Sequence, residues 1–217
     1  MKRTKINTTV KTVTHSFDLA QAYLEMARAH HRVVVRAPQG VSPKGLRMTN
    51  NTVLALTAHG YVFSFMAMTA FLTACLWKVW KLPTSPLTSR FPNAKSFKHL
   101  LKSDLKEMKD CITELCTYYN LQPLHVAEPK LWNDLQQVVK TTRDFMTHPT
   151  PDAVEFNKII GDAMKKHTWA RPAQIAEQVM RYFYTGQTQK PPEWLKENKE
   201  FRFETIRALS VQSRPEM

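Results

Sequence analysis

Between Val53 and Trp77 the chain carries no Asp, Glu, Lys or Arg. A run of 25 residues without a charge is too long for a strand, and its Ala, Met and Leu content favours a helix. Asn50 or Asn51 can cap the helix, and Pro83 and Pro86 end it, so it is expected over about 52 to 81. A helix that is apolar all round is either covered by protein on every side or crosses a bilayer. Flanking Arg47, Lys78 and Lys81, with Trp77 and Trp80, would suit a membrane span. Thr57, His59, Ser64, Thr69 and Thr73 make the segment less apolar than most spanning helices, and several amphipathic segments elsewhere need something to cover. A central helix, buried in the chain or against a second copy, is therefore expected, and no membrane. A stripe of small residues through Thr57, Gly60, Ser64, Ala67 and Ala74 would let another helix approach closely. Met66, Met68, Tyr61, Phe63, Phe65 and Phe71 read as packing residues.

The segments around it repeat at helical spacing. Phe17, Ala20, Leu24 and Ala27 predict a helix over about 17 to 32, after a basic, Thr-rich arm. Pro38, Gly40, Pro43 and Gly45 mark a loop, with a short extended piece at Val33–Val35. Phe97, Leu100, Leu101, Leu105, Met108, Ile112, Leu115 and Tyr119 predict one amphipathic helix over about 94 to 119, closed by Asn120 and Pro123. Pro129 opens another, to about 147, with Leu131, Leu135 and Val138 facing a core. Pro151, Arg171-Pro172 and Pro191-Pro192 precede three more, to about 167, 184 and 209. The fold class expected is all-α, an antiparallel helical bundle with a long apolar central helix and short flanking extensions. The organisation expected is a basic N-terminal arm, helix and loop over 1–49, a bundle over 50–167, and a C-terminal helical extension over 168–217. Five glycines in 217 residues argue against a turn-rich β protein.

Charge is uneven. Residues 1–47 hold nine Lys and Arg against two acids, 78–110 hold eight against three, and 111–217 hold fourteen against thirteen. A net charge of +13 concentrated in the first half suits a polyanionic partner, nucleic acid first. The alternative is a solvated basic face. Cys75, Cys111 and Cys116 form neither a disulfide framework nor a zinc-type pair, which fits a reducing compartment, the cytoplasm. Met1-Lys2-Arg3-Thr4-Lys5 is not followed by the apolar region of a secretory signal.

One short run carries candidate chemistry: Arg143-Asp144-Phe145-Met146-Thr147-His148, ahead of Pro149. A histidine exchanges protons near neutral pH, and an arginine grips a phosphate with two fixed hydrogen bonds. RNA brings its own nucleophile, the ribose 2′-hydroxyl. Cleavage then needs that proton removed, the leaving 5′-oxygen protonated and the phosphorane charge stabilised. On a regular helix the two side chains would stand about 140° apart, so local unwinding before Pro149 is needed to bring them together. Lys140 lies one turn before Arg143 and can share its face. The competing reading is a helix C-terminus whose Arg and His complement the dipole, with no chemistry.

The same run resembles the motif of HEPN domains (higher eukaryotes and prokaryotes nucleotide-binding). These are small all-α domains whose motif is Arg, four to six residues, then His, often with a polar residue after the Arg, here Asp144. The resemblance covers about 50–167. It implies a metal-independent endoribonuclease with Arg143 and His148 catalytic, and with Asp144, Lys140 and Thr147 as supporting or RNA-binding residues. It implies no metal and no cofactor. It also implies a homodimer whose two motifs face across one cleft, RNA as substrate, a role as toxin or antiviral-defence effector, and a possible antitoxin or regulatory partner. The alternatives are a non-catalytic all-α nucleic-acid-binding or protein-interaction module and, through residues 53–77, a membrane-associated protein.

Overall fold

The computed structural model of the chain describes residues 17–29, 50–147, 171–185 and 190–195, the second span with side chains over 58–143 and the third over 172–185. Every regular element among them is helical and none is a strand, so the fold class is all-α as expected. In chain order the helices are α1 (17–29), α2 (Asn50–Trp80), α3 (Pro86–Arg90), α4 (Phe97–Ser103), α5 (Met108–Tyr118), α6 (Leu124–Ala127), α7 (Pro129–Thr147) and α8 (Arg171–Tyr182). A 3-10 turn follows at Glu193–Leu195. The extended piece at 33–35 and the helix expected over 151–167 lie outside the described residues, as does most of the helix expected over 193–209.

The charge-free segment lies within the 31-residue helix α2, which touches α3, α5, α7 and α8. Ala67, Met68, Phe71, Leu72, Ala74, Cys75, Leu76 and Val79 are buried along it. Phe71 gathers aromatic rings from both flanks of the sequence. Phe17 of α1 stands edge-on at 5.9 Å between centroids, and Phe183 and Tyr184 each lie at 6.2 Å. The core therefore joins α1, α2, α5, α7, α8 and the 3-10 turn in one cluster. Ala58–Trp80 is long and apolar enough to cross a membrane by length and composition, yet half of its window is already buried by protein.

The small-residue stripe is partly consumed within the chain. Ser64, Ala67 and Ala74 are fully buried, whereas a Cβ placed on Gly60 would meet nothing within 4 Å. Ser64 tolerates burial because its hydroxyl donates to the Gly60 carbonyl one turn back, at 2.7 Å.

The run expected as a single helix over 94–119 is two. The hydrophobic spacing continues across the break, but capping chemistry interrupts the backbone. At the end of α4 the amides of Asp104 and Leu105 both donate to the Leu100 carbonyl. Glu107 and Asp110 then form a capping box that starts α5, with Asp110 accepting from the Glu107 amide at 3.2 Å. The end of α5 falls where Asn120 and Pro123 predict it. Asn120 takes a φ of 52°, and the amides of Asn120 and Leu121 turn back to the carbonyls of Thr117 and Cys116.

An ionic clamp ties the two flanks together. Glu177 of α8 accepts from Arg28 of α1 at 2.7 Å and also from Arg181. The same two arginines donate to the carbonyls of Trp194 and Leu195, at 2.9 and 2.7 Å.

Candidate functional site

Helix α7 carries the motif. Its amphipathic spacing works as expected, with Leu131, Leu135 and Val138 buried. The buried stripe continues into two threonines that periodicity does not flag. Thr141 and Thr142 are 3% and 1% exposed. Thr142 Oγ1 donates to the Tyr61 carbonyl of α2 at 3.3 Å, and Gln137 Nε2 donates to Thr141 Oγ1 at 3.4 Å. The Thr142 bond anchors the last turns of α7 on the N-terminal half of α2, while the Gln137 bond stays within α7. The available signal was the four-residue step from Val138 to Thr142, which continues the apolar stripe in polar form.

Lys140 and Arg143 are exposed, three residues apart, which on a helix places them on neighbouring positions of one face. The helix continues through Thr147, so position 147 lies one turn beyond Arg143. Asp144 and Thr147 are helical in backbone, and their side chains lie outside the described residues, as does the whole of His148. The structure thus brings together Lys140 and Arg143, and the Arg143–His148 pairing falls outside what it describes.

A second concavity sits at the other end of α7. Glu128, Lys130, Leu131 and Asp134 face Gln174, Ile175 and Gln178 of α8 across a cleft of about 320 Å³. From Leu131 to Arg143 the helix rises about 18 Å, so this cleft is a separate place from the motif. Among the described residues no group of three or more His, Cys, Asp or Glu side chains is arranged to hold a metal ion.

The thiols are poor nucleophiles. Burial pushes Cys75 and Cys111 up to about 12 and raises Cys116 as well. Trp132, which the sequence reads as a core residue before a base-stacking one, is half-buried, with the ring of His125 5.8 Å away.

No family model, no curated protein and no solved structure matches the chain.

Proposed function

We propose that the chain is a metal-independent endoribonuclease of the HEPN type, with Arg143 holding the scissile phosphate and His148 transferring the proton. The observation that carries this reading is the exposure of Arg143 near the end of α7, with Lys140 beside it, on a helix pinned to α2 by Thr142. A phosphate-binding guanidinium must meet solvent while its backbone is held rigidly, and this position satisfies both needs. In the reaction His148 takes the 2′-hydroxyl proton, the 2′-oxygen attacks phosphorus, and Arg143 stabilises the phosphorane charge. The 5′-oxygen leaves with a proton from a second acid, which in this reading is His148 of a second copy. Asp144 and Thr147 are supporting residues of the same run, and Lys140 binds an adjacent phosphate.

The all-α fold supports the reading, as does the surface next to Arg143. Tyr61, Val62, Phe63, Phe65 and Met66 of α2 are only half-buried, and such a face suits contact with a second copy across a two-fold axis. The proposal includes a cytoplasmic setting, a toxin or defence role, and an antitoxin or regulatory partner.

The test is cleavage of RNA in EDTA by the wild-type chain, Arg143→Ala and His148→Ala. Both variants should lose activity, by about 10²-fold or more. Equal cleavage by all three proteins removes the site, and loss of cleavage in chelator alone points to a metal enzyme.

A further inference from the structure

The cations of residues 78–109 divide into two groups. Four are engaged. Lys78 Nζ sits 4.4 Å over the Phe17 ring and Lys81 Nζ 4.4 Å over the Trp77 ring. Arg90 pairs with Glu114 at 2.7 Å, and Lys109 pairs with Glu107 at 2.9 Å. The other four, Lys95, Lys98, Lys102 and Lys106, are all exposed and make no ion pair among the described residues. The acids near them are occupied: Asp104 accepts from Ser103, and Glu107 and Asp110 cap α5. Lys98 and Lys102 stand four residues apart on α4, a spacing at which like charges repel. The helix keeps this repulsion although its inner face, through the buried Leu100, does not require lysine opposite.

We propose that Lys95, Lys98, Lys102 and Lys106 form a phosphate-binding ridge for single-stranded RNA, separate from the Arg143 site and reached by the same strand. The choice of RNA rests on the proposed function. A bilayer is the weaker fit, because a membrane-lying helix needs apolar side chains on its docking face. Here the exposed positions of α4 are Lys98, His99, Lys102 and Ser103, with its apolar residues turned inward.

The fold fixes how far the two places lie apart. Phe97, next to Lys98, packs on Trp77 with centroids 4.9 Å apart, near the C-terminal end of α2. Thr142, next to Arg143, bonds to Tyr61 towards its other end. Sixteen residues of one helix separate Tyr61 from Trp77, a rise of about 24 Å. At ~3.4 Å per nucleotide, a stacked strand touching both spans about seven nucleotides, and an extended one somewhat fewer. RNA of four nucleotides therefore reaches the Arg143 site without the ridge, and RNA of twenty reaches both.

Binding is measured by fluorescence anisotropy with a labelled 2′-O-methyl RNA of twenty nucleotides, which lacks the nucleophile and cannot be cut. Wild type is compared with the quadruple Lys→Ala variant and the quadruple Lys→Arg variant, each checked for an unchanged helical spectrum. Each phosphate contact on a single strand contributes about 0.7 to the slope of log affinity against log salt, so the Ala variant should lose up to about 2.8 of slope and Lys→Arg should keep it. Cleavage of unmodified RNA is scored separately, and the lysines should matter for the twenty-nucleotide substrate and not for the four-nucleotide one. An unchanged slope in the Ala variant overturns the ridge, even if Arg143-dependent cleavage persists. Lysine-dependent binding to phosphatidylserine vesicles with RNA binding unaltered overturns it too. A lost slope in a protein that cuts no RNA upholds the ridge and removes the ribonuclease reading.

Discussion

From Ala67 to Val79, α2 buries eight side chains, whereas from Ala58 to Met66 it buries one, Ser64. Both stretches are apolar, Lys78 is the one Lys, Arg, Asp or Glu in either, and both lie on one uninterrupted helix. The difference comes from the neighbours. The C-terminal half is covered by aromatic and aliphatic residues of α1, α5 and α8, converging on Phe71. The N-terminal half is met by Tyr23 of α1, stacked on Phe63 at 6.3 Å, and by the polar step from Thr142 to the Tyr61 carbonyl. Hydropathy locates the helix, and the partners decide which half is core and which half is surface.

Substitutions along α2 can break this contrast. Phe71→Ala should cost about 3–5 kcal/mol in urea unfolding, since a full ring leaves a packed site. Phe65→Ala in the half-buried stretch should cost about 1 kcal/mol or less. Comparable losses at both positions would mean the N-terminal half is covered in solution. Thr142→Val keeps the shape and removes one hydrogen bond, so a loss of about 1 kcal/mol is expected. Its signature should be local: amide exchange should quicken around 138–143 and stay unchanged through 67–79.

The smallest effect concerns pH. Burial raises the Glu114 carboxyl above its ordinary 4.5, and the nearby Arg90 only partly opposes the shift. A carboxyl raised in the folded state stabilises it most below the unfolded value, and that contribution fades as pH rises through the folded value. Stability should therefore fall slightly more with rising pH above 4.5 in wild type than in Glu114→Gln, read as the difference between two melting-temperature profiles. A difference of opposite sign would show that Arg90 outweighs burial.

Periodicity made α1 and α7 legible, because each buries a stripe at helical spacing, whereas α2 was legible from its length without charge and α8 from Arg171-Pro172 at its start. Periodicity failed at 104–107, where the stripe runs on through Leu105 while hydrogen bonds at Leu100 and Asp110 end one helix and begin the next. Glu107 with Asp110 three residues later caps α5, and hydrophobic spacing alone carries no trace of it. At the candidate site, the exposure of Lys140 follows from its place opposite Leu135 and Val138, whereas Arg143 stands at the flank of the stripe, about 80° from Leu135. The burial of Thr142 does not follow from composition, since its reason is a carbonyl 81 positions away in the chain. Of the small-residue stripe, sequence could not say that Ser64, Ala67 and Ala74 would be taken up inside the chain itself while Gly60 meets open space.

The clamp at Glu177 bears on how the polypeptide is made. Arg28 bonds to a carboxylate 149 residues later and to a carbonyl 166 residues later. At translation speeds of about 5–20 residues per second, the arginine waits roughly 7 to 30 seconds for its first partner. The nascent chain can bring α1 against α2 long before the ribosome has supplied Glu177. Its two flanks can be locked together only once Glu177 and Trp194 have been made.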